Sequence, residues 1–195
     1  MKTVKVKVEI SARHIHLSQP DLEKLFGAGY VLKNIKDLSQ EGEFAAEETV
    51  TLVGPKRKLE NLRVVGPVRS ATQIELSYTD AFSLGIDAPL RISGDVAGSA
   101  GAKIIGPVGE VGLAEGVIVA KRHLHINQKE ADELGLKNDD LVKVKVAGDR
   151  GLIFENVVVR IKPNFHISIH VDTDEANSSG CGKVCSFGEL IIEAD

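Results

Sequence analysis

Apolar and polar residues alternate at the start of the chain, where Val4, Val6, Val8, Ile10 and Ala12 are interleaved with Lys5, Lys7, Glu9 and Ser11. A period of two predicts a half-buried strand. If that strand runs unbroken to residue 16, His14 and His16 share the parity of Val4 and point inward, at the rim of a barrel. The pattern then changes to that of a short helix, with Ser18 placed to cap it, Asp21 three residues on and Gly27 at its end. Asn127, Glu130 and Gly135 repeat this arrangement. Each helix spans only about two turns and must pack on a sheet to be stable. Gly54-Pro55, Gly66-Pro67 and Gly106-Pro107 punctuate further strands, and Gly148-Asp149-Arg150-Gly151 reads as a hairpin turn. No Gly-rich loop joins a strand to a long helix, so neither a dinucleotide-binding nor a P-loop unit is supported.

The pattern occurs twice. SARHIHLSQPDLEKLFG at 11–27 matches AKRHLHINQKEADELGL at 120–136, an offset of 109 residues. Residues 50–81 match 143–176 at an offset of 95, which sets Glu60-Asn61 over Glu155-Asn156 and Asp80-Ala81 over Glu175-Ala176. The first copy therefore carries about 14 extra residues, most simply within 28–48. Two related halves joined through the Gly-rich stretch 94–116 are expected. The fold class that follows is mainly β: two small antiparallel β-barrel domains related by the internal repeat, each capped by short α-helices.

Composition narrows the setting. The 195 residues carry 24 basic and 28 acidic side chains, a net charge of −4, which disfavours broad nucleic-acid binding. With no Trp and 4% aromatic residues, the core must be built from Val, Ile, Leu and Ala. No apolar run approaches the roughly 18 residues of a membrane span. No signal peptide is expected either, because Lys2, Lys5 and Lys7 alternate with valines. Two cysteines, Cys181 and Cys185, cannot build a disulfide framework, so a reducing cytoplasm is the expected compartment.

Four of the six histidines form two His-x-His pairs, His14 with His16 and His123 with His125. Residues i and i+2 of a strand face the same way about 7 Å apart, near enough for two imidazoles to converge on one ion. Zinc accepts imidazole nitrogen at about 2.0–2.1 Å and takes carboxylate as well. A pseudo-twofold arrangement would bring both strand ends to one cleft. Duplication of two structural histidines is the alternative. The offset of 95 sets Glu75 over His170, which adds a carboxylate and an imidazole as further candidate ligands. His166 lies about 13 Å from His170 along a strand and reads as structural or solvent-facing. Arg13 and Arg122 precede the two pairs, and Arg69 lies six residues before Glu75. Guanidinium forks suit phosphate, although Arg13 and Arg122 are equally suited to pair with carboxylates at the barrel rim.

With these residues in place, the chain resembles the PduL-type phosphate propanoyltransferases, the zinc-dependent phosphotransacylases. The matching segments are SARHIHLS, KDLSQEGEFAAEETVTLVGP, VVGPVRSATQIELSYTDA, APLRISGD, GVIVAKRHLHI and HVDTDEAN, which run in order to about residue 177. The resemblance implies two β-barrel domains with a dinuclear zinc site between them, in a homodimer. The zinc ligands would be His14, His16, Glu75, His123, His125 and His170, holding two ions per subunit, and Arg69 would orient phosphate. The implied reaction moves a short acyl group, propanoyl or acetyl, between coenzyme A and inorganic phosphate. The implied domains are 13–121 and 122–195, the second completed by strand 1–12. Relatives housed in bacterial microcompartments usually carry an N-terminal extension. Here the first strand begins by about Val4, so a free cytosolic enzyme is expected, with no nucleic-acid or membrane partner.

No G-x-S-x-G elbow or similar nucleophile motif is present, which agrees with direct attack of phosphate on the thioester. The same ligands also suit a zinc hydrolase of thioesters or phosphoesters, or a binding module tied together by structural zinc. Cys181 and Cys185 read as unremarkable buried or reduced thiols, with a thiol site near the metal as the alternative.

Overall fold

The computed structural model describes residues 2–181 and 187–192. The first half runs β1 (Lys2–Ile10), β2 (His14–His16), α1 (Gln19–Phe26), β3 (Asn34–Asp37), β4 (Phe44–Val53), β5 (Lys58–Gly66), β6 (Gln73–Leu76) and α2 (Tyr78–Leu84). It continues through β7 (Leu90–Arg91), β8 (Ala100–Ile105) and β9 (Glu110–Ala120). The second half runs β10 (His123–Ile126), α3 (Gln128–Leu134), β11 (Leu141–Val146), β12 (Leu152–Ile161), β13 (Ser168–Val171), α4 (Thr173–Ser178) and β14 (Phe187–Ile192). Two compact units result, one of residues 13–120 and the other of 1–12 with 121–195.

Each unit is a mainly β barrel. In the unit of 1–12 and 121–195 the strands close in the order β1-β13-β10-β12-β11-β14. In residues 13–120 the pairings of β4, β5, β2, β6, β9 and β8 also return to their start, because β8 pairs with both β9 and β4, and β3 and β7 lie outside this ring. The rings match strand for strand. The parallel pairs β1·β13 and β10·β12 of one correspond to β9·β6 and β2·β5 of the other, so the pairing is mixed rather than wholly antiparallel. Parallel neighbours need a crossover, and the segment carrying α1 or α3 supplies one between β2 and β5 and between β10 and β12.

Two sequence expectations change here. The Gly-rich stretch 94–116 is not an inter-barrel linker, because β8 and β9 form an antiparallel pair within it. Gly101 permits their close approach: a Cβ there would lie 2.5 Å from the Leu113 carbonyl oxygen. Glycine content suggested a loop, whereas the residues between the glycines are strand-forming. The second change concerns parity. β1 ends at Ile10 and β2 begins at His14 in the other unit, so the alternation of β1 does not carry through to the histidines.

The barrel interiors show which way each side chain faces. Ile15, Leu17, Val64, Ile74 and Leu76 are buried in one core, and Val6, Val8, Leu124, Ile126, Val159 and Ile169 in the other. The alternate residues His14, His16, Glu75, His123, His125 and His170 therefore stand on the outer faces of their barrels, not inside them. Helices cap the cores through Leu22 and Leu25 of α1, Ala81 and Leu84 of α2, Ala131 of α3 and Ala176 of α4. No helix among the described residues is long and apolar enough to cross a membrane.

Candidate metal centres

The strand register assembles one cluster in each unit. In residues 13–120, β2 and β6 are antiparallel, with His14 opposite Glu75 and His16 opposite Gln73. The Nε2 atoms of His14 and His16 are 3.1 Å apart, and Glu75 Oε2 lies 3.7 Å from His14 Nε2. In the other unit β10 and β13 repeat the register, with His123 opposite His170 and His125 opposite Ser168. The rings of His125 and His170 have centroids 4.5 Å apart, and His123 stacks on His170 at 5.2 Å. Within each triad one donor atom per residue lies within 4.8 Å of the others.

Neighbouring groups orient these donors. His16 Nδ1 is 3.0 Å from the Val65 carbonyl and His123 Nδ1 is 2.8 Å from that of Lys121. A carbonyl only accepts, so each Nδ1 carries the proton and each Nε2 keeps its lone pair. Glu75 Oε1 accepts hydrogen bonds from Gln73 Nε2 at 2.6 Å and Ser93 Oγ at 2.7 Å, while Oε2 faces His14. Gln73 is fixed in turn by the Gly94 amide, which donates to its Oε1. His125 stacks on Phe165 with centroids 3.8 Å apart.

Burial lowers the His16 pKa to about 3, helped by the neighbouring His14 and Arg69 charges. Burial likewise drives His125 far below the ordinary imidazole range, with His170 and His123 adding to the effect. Both rings are thus neutral near pH 7, the state that binds metal. His125 Nδ1 is buried and has no hydrogen-bond partner. A stranded imidazole nitrogen among three clustered imidazoles fits a metal better than it fits a packed core. Two imidazoles with a carboxylate, and three imidazoles, are donor sets that zinc uses with a fourth position left open for chemistry.

The remaining sequence candidates fall elsewhere. Arg13 pairs with Asp80 at 2.7 Å and Arg122 with Glu175 at 2.6 Å, which makes both arginines latches onto the helices that follow β6 and β13. Arg69 reaches Ser93 Oγ at 3.4 Å and Glu43 at 3.2 Å, and so connects through Ser93 to Glu75. His166 is exposed and belongs to neither triad. Cys181 packs against the core of its unit, and its Sγ accepts from Ser179 Oγ at 3.1 Å. Cys185 lies outside the described residues. Sequence reasoning missed Gln73 and Ser93. Gln73 was within reach, since it shares a strand face with Glu75 two residues on. Ser93 carried no signal, because it arrives from a separate segment after β7.

Comparison with known proteins points to one family. A family model described as phosphate propanoyltransferase matches residues 7–182. The chain is 54% identical to the phosphate propanoyltransferase of Thermotoga maritima over 185 residues, covering 94% of this chain and 86% of that protein. It is 48% identical over 185 residues to that of Lachnoclostridium phytofermentans, covering 93% and 86%. It is 46% identical over 192 residues to that of Salmonella typhimurium, covering 98% and 91%.

Proposed function

The chain belongs to the phosphate propanoyltransferase family, and from that premise we propose that it transfers a short acyl group, propanoyl or acetyl, between coenzyme A and inorganic phosphate. In the direction of acyl phosphate synthesis, a phosphate oxygen forms a bond to the thioester carbonyl carbon and the carbon–sulfur bond breaks. Coenzyme A leaves with the bonding electron pair and takes up the proton that hydrogen phosphate gives up. The observation that carries this reading is the pair of three-donor triads at matching register, one in each unit of a chain that matches the family over nearly its whole length.

The triad residues are the proposed holders of two zinc ions per chain, His14, His16 and Glu75 for one and His123, His125 and His170 for the other. When bound, divalent zinc supplies Lewis-acid polarisation of a carbonyl and a soft acceptor for a thiolate. The chain's own residues do the rest. Glu75 is held by Gln73 and Ser93 so that one oxygen is committed to the protein and the other to the triad. Arg69 is the candidate catalytic arginine: its fork suits two oxygens of phosphate, and Glu43 is the carboxylate that phosphate would displace from it. Holding two anionic reactants together lowers the reaction barrier by several kcal/mol through proximity alone. Three protein donors per triad also favour catalysis over scaffolding, because structural zinc sites are closed with four. A cytoplasmic homodimer belongs to the same reading, and light scattering of the purified protein checks the assembly state.

Arg69→Ala tests the assignment. The variant should fold and keep its zinc, lose activity by about a hundredfold or more, as for the loss of a charged transition-state donor, and show a raised KM for phosphate. Unchanged phosphate kinetics would remove Arg69 from the site. The assay must follow both products from acyl-CoA supplied with phosphate. Acyl phosphate supports the transfer, whereas free acid alone would identify a hydrolase.

A further inference from the structure

The two triads differ in charge. His14, His16 and Glu75 include a carboxylate, whereas His123, His125 and His170 are three imidazoles, neutral when they bind metal. The strand register sets a carboxylate beside the second triad. On β1, Glu9 pairs with His170 of the parallel neighbour β13. At the corresponding place in the other unit, Ile118 of β9 pairs with Glu75 of β6. Carboxylate and partner are exchanged across the ladder: glutamate on the central strand with isoleucine beside it in one unit, histidine on the central strand with glutamate beside it in the other.

Side-chain geometry follows the register. Glu9 Oε2 lies 3.4 Å from His170 Nε2, while Glu9 Oε1 is engaged by Lys7 Nζ. Glu75 divides its oxygens in the same way, Oε1 to Ser93 and Gln73, Oε2 at 3.7 Å from His14 Nε2. Ser168 completes the parallel. It sits where Gln73 sits in the first unit, and its Oγ is 3.2 Å from His170 Nε2 as Gln73 is bonded to Glu75. Glu9 is largely buried, with its side chain 16% exposed, so its charge acts on His170 with little screening.

We propose that Glu9 is the carboxylate of the second metal centre, a positioning residue that holds the His170 ring and supplies the negative charge its three imidazoles lack. The inference rests on the proposed zinc-binding role of the triads and adds a residue to it. Carboxylates that support a metal-bound histidine are typically worth about 10–100-fold in metal affinity.

Zinc binding to the full-length, metal-stripped protein, measured by competition with a chromogenic chelator, tests this without recourse to activity. The wild-type chain should take up two equivalents. Glu9→Gln, which keeps the shape and removes the charge, should weaken one equivalent by about 10–100-fold and leave the other unchanged. Glu75→Gln should weaken the opposite equivalent, and Glu9→Asp, with its charge retained on a shorter stem, should fall between wild type and Glu9→Gln. Two equivalents of wild-type affinity in both Glu9 variants would overturn the role of Glu9 and leave the zinc reading standing. A wild-type chain that takes up no zinc would overturn both.

Discussion

Glu75 is useful because its two oxygens are kept apart. Oε1 accepts from Ser93 and Gln73, and Oε2 remains for the triad. Without Ser93 the carboxylate would lose one of two donors, and Arg69 would lose its link to the triad. Ser93→Ala should therefore weaken zinc at the first triad by about tenfold, with the second triad unaffected, in the same chelator competition. An unaltered affinity would mean that Gln73 alone holds the ligand. Most of the candidate ligands were legible in the sequence, because His-x-His on a strand points two rings one way and duplication put a second pair in register. Glu75 and His170 were legible only through the repeat offset. Ser93 and Glu9 were not, since each reaches its partner from a distant segment through β-sheet pairing and loop packing that no local pattern announces.

At the level of elements, the repeated Glu-Asn dipeptides acquire a cause. Asn61 and Asn156 both have left-handed backbones, with φ of 58° and 55°. In each case the ladder shifts register there: Val50 and Leu52 pair with Leu62 and Leu59, and Val142 and Val144 pair with Val157 and Phe154. These are bulges at equivalent places in β5 and β12, and Asn tolerates the left-handed region better than other side chains outside Gly. The bulge in β12 also turns the Glu155 carbonyl to the Arg122 guanidinium, which donates to it at 2.6 Å. Asn61→Ala or Asn156→Ala should each cost about 1–2 kcal/mol in denaturant unfolding of the metal-free protein, and Asn→Gly markedly less. Equal losses for Ala and Gly would mean that the side-chain amide, not the backbone, is what matters. The ends of α1 and α3 were plain from sequence, since Ser18 and Asn127 accept the N3 amide; Ser77 and Asp172 cap α2 and α4 in the same way, and only the structure showed them.

For the whole molecule, the main consequence is that each sequence repeat contributes its leading strand to the ring of the other repeat. β1 completes the barrel of 121–195, and β9, the corresponding strand of the second repeat, completes that of 13–120. Residues 13–120 contain every strand of their ring, so this fragment should fold alone with a cooperative transition. Residues 121–195 lack β1 and expose the edges of β13 and β14, and should stay largely unfolded until a peptide of residues 1–12 is added. Circular dichroism of both fragments, with and without peptide, checks this; an independently folded 121–195 would mean that β1 is an accessory strand. The sequence by itself determined the duplication, the β-rich class, the helix caps and the residue types that suit a metal, because each depends on local spacing or on comparing the chain with itself. Tertiary structure alone decided which face the histidines occupy, that the Gly-rich stretch is barrel wall, and which carboxylate lies beside the second triad. Those outcomes depend on which strand lies beside which, and that is fixed by closing two rings at once, a constraint among residues far apart in the chain.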